Sequence, residues 1–219
     1  MTEPEPSSAI RLTRKPDRGS RDRAVLDELL DEVLVGTLST VLDGRPWVVP
    51  MLFARDGDRI LLHGSTGAGA LRQVASGAPA ALCVTVLDGL VVAHSTFDSS
   101  ANYRSAVIQG ALTPLRDEDA ARALDVLSDR LLPGRVAEVR PPTARERAAT
   151  LAMALPIVDG AWIYKSRTGG PGEPDEPTDA WTGVVPLRTV AGQALPSAHA
   201  TSAGLPQPES VDRLLRNWS

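Results

Sequence analysis

The chain has 219 residues, 42% of them hydrophobic and 23% charged, and carries a net charge of −4. That length supports one domain of generous size, and the composition excludes a disordered, collagenous or disulfide-stapled chain. The acidic balance also lacks the clustered basic charge on which nucleic-acid binding rests.

Taken in chain order, residues 1–20 read as a flexible lead. The first 23 residues are polar and charged, with no apolar run of a signal peptide or anchor behind them. No stretch approaches the ~20 apolar residues of a membrane span. A cytoplasmic protein without membrane or nucleic-acid contact is expected. Over 22–34, Val25, Leu26, Leu29, Leu30 and Val33 recur at helical spacing, with Asp22 as N-cap. The period then changes to that of strands. Residues 34–42 and 47–54 flank Asp43-Gly44, a strong hairpin signal. Pro50 marks an edge or bulge in the second of them. Residues 59–64 make a third strand after a second tight turn.

Residues 65–70, STGAGA, break the pattern and lead into a short helix with Leu71 and Val74. Two strands, 79–87 and 90–96, are expected around Asp88-Gly89. The single cysteine, Cys83, lies in the apolar run ALCVTVL and reads as a small core residue. A polar loop precedes a long strand over 103–113. Helices are expected over 117–131, with Ala121, Leu124, Leu127 and Leu131 inward, and over 143–154, where Thr143 and Glu146 form a capping box. Residues 161–166 and 181–188 read as strands around a Pro/Gly/acid loop. The boundaries expected are a lead at 1–20, one domain at 21–190, and a disordered tail at 191–219 with a short terminal helix. The fold class is mainly β (α+β): a six-stranded antiparallel split β-barrel with flanking helices.

His63, His94, His199 and one cysteine contain no pair in zinc-ligand register. Gly64 to Gly69 has Walker-like glycine spacing, but Ala70 stands where lysine is needed. Three segments carry chemistry. HGSTGAGALR, 63–72, leaves a strand and enters a helix. Ser65 and Thr66 add hydroxyls and Arg72 adds charge, a set that suits a phosphate monoester or a plain capped turn. STFDSSANYRSAVIQG, 95–110, places Arg104 on one strand face and Tyr103 and Ser105 on the other. Trp181 follows the acidic loop and either plugs a barrel end or covers a flat ligand.

The order strand–DG–strand with VVP, then LHGS, a short helix with Arg, and F-x-x-S-x-N-Y-R-S before a long strand resembles the pyridoxamine 5′-phosphate oxidase-like split-barrel family. The branch it is most similar to includes the nitroimidazole-resistance flavoproteins. The resemblance spans about residues 11–190. It implies a homodimer with FMN at the subunit interface and a small-molecule substrate. Val48, Val49, Pro50 and Met51 would flank the ring. Leu62, His63, Gly64, Ser65 and Thr66 would run from ring edge to phosphate, with Arg72 as counter-charge. Asn102, Tyr103, Arg104 and Ser105 would come from a neighbouring strand, and Trp181 and Arg188 would resemble a C-terminal W…R pair. The family usually has a basic residue near Gly69 or Ala70. Its absence leaves room for deazaflavin F420 or haem as the ligand. The function implied is an FMN-dependent oxidoreductase passing hydride or electrons between NAD(P)H and a small organic acceptor, with His63 as proton donor or shuttle. The competing reading is a flavin-binding or sensing module without turnover.

Overall fold

The computed structural model describes residues 12–67, 69–75 and 77–219; the side chains of Ala70 and Arg72 also lie outside the description. A 3₁₀ turn at Pro16–Arg18 leads into a two-residue strand, β1 (Gly19–Ser20). Helix α1 (Arg23–Glu32) begins at the expected cap, where the Asp22 carboxylate accepts the Ala24 N–H at 2.9 Å. Its apolar face buries Leu26, Leu29 and Leu30.

Strands β2 (Val35–Leu42) and β3 (Arg45–Asp56) form the expected hairpin. Asp43 and Gly44 both hold positive φ, 49° and 73°, which is the backbone a tight twisted hairpin needs. Strand β4 (Arg59–Ser65) follows, then α2 (Gly69–Ala75). The next element differs from expectation. Asp88-Gly89 is not a hairpin turn. One continuous strand, β5 (Pro79–Val92), runs through it with a bulge between Leu87 and Gly89. The reason is tertiary: β5 pairs along its whole length with β6 (Ser100–Ala111), so a chain reversal there would break the ladder.

After the short β7 (Thr113–Pro114) comes α3 (Asp117–Leu131), over the expected residues. Leu127 is buried as expected. Ala123 is the second fully covered residue, with Leu124 only partly covered. The guanidinium of Arg130 in α3 donates to the carbonyls of Asp31 and Val33 and so closes the C-terminus of α1. Helix α4 (Arg135–Glu138) follows. The helix expected over 143–154 is cut short. α5 covers Ala144–Ala148, and β8 takes Thr150–Pro156. Ala152, Met153, Ala154 and Leu155 are buried on both faces of β8, between β4 and β7, and that burial overrides the helix preference of Ala, Leu and Met. Strands β9 (Trp162–Arg167) and β10 (Gly183–Pro186) complete the sheet. Helices α6 (Ala198–Ser202) and α7 (Glu209–Asn217) end the chain. Ser210 of α7 is fully buried and donates through N and Oγ to the Glu138 carboxylate at 2.9 and 2.6 Å.

The ten strands described form one antiparallel sheet in the order β1-β9-β6-β5-β2-β3-β4-β8-β7, with β10 on β5. Its ends curl together: a methyl group on Gly110 of β6 would lie 3.1 Å from Leu155 of β8. The interior holds Leu38, Phe53, Ile60, Leu62, Leu82, Ile108 and Met153 against the leucines of α1. A second cluster, with Leu61, Ala123, Leu127 and Ala152, joins the β4–β8 wall to α3. This is the split barrel with flanking helices. The split itself lies between β3 and β4. Those strands pair only through Phe53–Asp56 and Arg59–Leu62, after which β4 continues alone with β8 as far as Ser65↔Thr150. Among the described residues, no helix is long and apolar enough to cross a membrane.

Candidate functional site

The split leaves residues 47–52 of β3 with a strand partner, β2, on one edge only. Backbone groups on the other edge are free to meet a ligand. Val49 and Met51 turn inward and pack against the core. Val48 and Pro50 turn outward, and Val48 is 60% exposed. What Val49, Pro50 and Met51 offer along the open edge is therefore main chain. The side chain of Leu62 is fully buried in the core, so main chain is what it offers at the strand edge. Gly64 admits α2 to β4, since a methyl group there would lie 2.4 Å from Leu71 Cδ1. Ser65 Oγ accepts the Gly67 N–H at 3.1 Å, which leaves its own hydroxyl hydrogen to donate. Thr66 is tied to β8: its N–H and its hydroxyl both donate to the Ala149 carbonyl, at 3.0 and 3.2 Å. The Arg72 side chain lies outside the described residues.

The β6 residues stand on the far half of the sheet, with β5 and β2 between them and β3. Arg104 is not a free cation there. It chelates Asp88 with Nη2–Oδ1 at 2.7 Å and also pairs with both oxygens of Glu32. The Glu32 hydrogen bonds, then those to Asp88, raise its pKa further above the ordinary arginine value. Asn102 is buried and satisfied, donating to the Gly169 carbonyl at 3.0 Å and accepting from Arg167 at 2.7 Å. The Ser105 hydroxyl donates to the Lys165 carbonyl at 3.3 Å, and Tyr103 is half-buried on β6. Trp181 is 67% exposed and lies over Gly183, whose missing side chain makes room for the indole. Arg188 is exposed beyond β10. Of the residues the sequence nominates, the chain thus gathers those of β3, β4 and the following turn. It leaves those of β6 and β10 apart from them. Cys83 is not a core residue either. It is half-buried on the outer sheet face, level with Thr37 and Val107.

His63 alternates to the opposite side of β4 from Leu62. It lies on the α3 side, beyond Leu61, and forms the inner wall of a cleft of about 550 Å³. Leu124 and Ser128 of α3, Val139, Pro142, Arg140, Glu146, Arg147 and Thr150 complete the lining. The Nδ1 of His63 is buried without a hydrogen-bond partner, so the ring is one partner short. The outer wall, residues 139–149, is entirely exposed, held by local bonds and by Thr66 at its Ala149 end. Arg140 grips both oxygens of Glu146 at 2.8 and 2.7 Å. Glu146 also accepts the Thr143 N–H at 2.7 Å, which completes the expected capping box with Thr143 Oγ1. The Arg140 guanidinium, and then the Thr143 N–H, lower the Glu146 carboxyl to about 2. Arg147 donates to the Pro142 carbonyl. Sequence reasoning found Glu146 as a cap and His63 as a reactive residue. It had no signal that β8 and α3 would bring the two into one cleft.

A model of the family described as pyridoxamine 5′-phosphate oxidase matches residues 22–161. A search of curated proteins found no match. Among solved structures, the FAD and heme binding protein from Mycobacterium smegmatis is 46% identical, with a TM-score of 0.87; the match covers 90% of this chain and 97% of that one. The flavocytochrome Anf3 from Azotobacter vinelandii is 29% identical over 93% of this chain and 94% of that one, with a TM-score of 0.85. A candidate 5-nitroimidazole antibiotic resistance protein from Bacteroides thetaiotaomicron shares the fold, at 17% identity and a TM-score of 0.57, over 68% of this chain and 86% of that one.

Proposed function

The chain belongs to the pyridoxamine 5′-phosphate oxidase family of split-barrel proteins, and from that membership we propose a two-cofactor oxidoreductase, with a flavin along the open edge of β3 and a haem in the cleft at His63. The observation that carries the reading is the His63 ring, with Nδ1 buried and unpartnered, bordering a cleft whose lining joins Leu124, Val139 and Pro142 to polar and charged side chains. Imidazole is a common axial ligand of haem iron, and about 550 Å³ falls within the ~300–1,000 Å³ of cofactor pockets. A name that pairs FAD with haem, on a relative 46% identical, supports it. When bound, such a pair exchanges electron pairs with a reduced nicotinamide and single electrons beyond it.

The chain's own parts divide the work. Backbone groups of residues 48–51 hold the flavin ring, and the hydroxyl of Ser65 approaches its phosphate end. His63, on the cleft side of β4, would hold the haem iron. FAD is favoured over FMN. Gly69 and Ala70 carry no charge of their own, Arg72 is the nearest cation in the sequence, and the relative 46% identical is named for FAD. Vitamin B6 oxidation is not part of the proposal, because Arg104 is already committed to Glu32 and Asp88.

A homodimer belongs to the same reading. The β3–β4 half of the flavin site and the β6–β10 half lie apart in one protomer, and a second copy supplies the missing half. The outer face of β2 and β3 supports this with Val35, Val41, Val48 and Leu52, all exposed. Val35 stands opposite Leu52 in register, so two of these apolar residues meet across the hairpin.

The test is an absorption spectrum of the purified protein, with mass analysis of the flavin released on denaturation and a haem assay. Flavin bands, a Soret band and released FAD are expected. His63→Ala should lose the Soret band and keep the flavin. A protein that carries neither cofactor, and takes up neither when titrated, would overturn the reading. Flavin without haem, and no response to added haemin, would remove the His63 assignment alone.

A further inference from the structure

The cleft at His63 is chemically lopsided. Leu124, Val139 and Pro142 supply the apolar part of its lining, Ser128, Glu146 and Thr150 a polar part, and Arg140 and Arg147 two guanidinium groups. The two are not equivalent. Arg140 is neutralised by Glu146, which it grips with both nitrogens. Glu146 spends three of its roughly four acceptor positions on Arg140 and the Thr143 N–H and makes no pair with Arg147. Arg147 has no acidic partner among the described residues. Its one bond, from Nη1 to the Pro142 carbonyl, uses one of five donors and fixes the planar fork at the cleft. A cation held in place without a counter-charge, beside apolar lining, is built for an anion that arrives attached to an apolar body.

We propose that Arg147 binds a carboxylate of the group seated at His63, so that the cleft recognises a planar apolar body with acidic side arms, as haem presents through its propionates. Arg140 is the secondary contact, since Glu146 already holds it. This rests on the haem reading above and adds how the ligand is oriented and told apart from neutral porphyrins. The arginine sits on the exposed 139–149 segment, so a carboxylate bound there also pins that segment against the cleft.

The experiment is a titration of haem-free protein with haemin and with haemin dimethyl ester, in which both propionates are masked, followed by Soret absorbance. The native protein should bind haemin more tightly than the ester. Arg147→Leu should weaken haemin binding about tenfold or more, the scale of one charge-assisted hydrogen bond. It should leave ester binding unchanged, so the preference disappears. Arg147→Lys should restore part of it. Arg145→Leu, a charge removed from the same segment but not from the cleft lining, should behave as native. Arg147 is exposed and makes a single bond, so circular dichroism should show the variant folded. Equal haemin affinity in native and Arg147→Leu protein, with haem bound in both, would overturn this inference and leave the haem site standing. No Soret response to either compound in the native protein would overturn both.

Discussion

Gly89 occupies a position that no other residue fills. A methyl group on it would lie 2.9 Å from the Val185 carbonyl oxygen and 3.3 Å from Pro186 Cα, both main-chain atoms of β10. Gly89→Ala must push β10 away from β5. The expected cost is about 1–3 kcal/mol, the usual range for overpacking, read as a shift of the denaturation midpoint. Trp181 begins the segment that would lift, so its fluorescence should change in the same variant without denaturant. Native stability and an unmoved emission would show that β10 is not held there. Residue identity was legible in the sequence at such points, but residue employment was not. Arg104 is recognisable as a cation at the start of a strand. Its partners, Glu32 and Asp88, sit 72 and 16 residues away, so nothing local announces that its charge is spent. Ser65 and Thr66 show the converse. Their hydroxyls read as ligand donors or turn caps: Thr66 donates to the Ala149 carbonyl, while Ser65 only accepts from Gly67 and keeps its own hydrogen to donate.

The segment 139–149 is the element whose behaviour depends most on charge. Exposed throughout, it is held by the Arg140–Glu146 pair, the Thr143 cap and, at its end, the bonds from Thr66 to the Ala149 carbonyl. Glu146 sits at about 2 in the folded chain against an ordinary 4.5. A depressed carboxyl contributes its stabilisation above the ordinary value, and loses it as pH falls from about 4.5 through 2. The segment should therefore loosen over that window. Limited proteolysis by an acid-active protease, or hydrogen exchange of the amides of α5, should show the loosening. Glu146→Gln should be loose already at neutral pH and lose the pH dependence. A segment equally protected at pH 2 and pH 7 would contradict this. The capping box that starts α5 was legible because it is a local pattern. The end of that helix was not. Ala, Leu and Met in 150–156 favour a helix when read alone, and only the positions of β4 and β7 on either side make them a strand.

At the scale of the molecule, sheet order separates what one function needs. Reading β9-β6-β5-β2-β3-β4-β8 across the barrel, the open edge of β3 and the β6 residues stand three strands apart. The hairpins β2–β3, β3–β4 and β5–β6 made part of the barrel legible in the sequence, because each of those pairings is between neighbours in the chain. The β4–β8 pairing is not, and it builds the wall under His63. If two protomers meet on the outer face of β2 and β3, Val48→Asp should divide them. Val48 is 60% exposed, so the substitution costs the single chain little. Light scattering should then report one chain's mass where the native protein reports two, and the variant should retain less flavin. A native protein already monomeric at micromolar concentration would remove the dimer.

The bulge at Asp88 acts on β5 as an odd count acts on a two-step rhythm. Ahead of it the inward positions are even, Ala80, Leu82 and Val84; beyond it they are odd, Gly89, Val91 and Ala93. One extra residue changes the phase of everything downstream. The strand thus stays in step with β6 at both ends while aiming a carboxylate at Arg104 in the middle. Deleting Asp88 would remove the bulge and keep that phase, with Gly89 still opposite Asn102, but Arg104 would lose a carboxylate. Drawing Asp88 into the ladder instead would turn Leu90 and Val92 inward and Val91 outward, and the far third of β5 would present the wrong side of itself to the barrel.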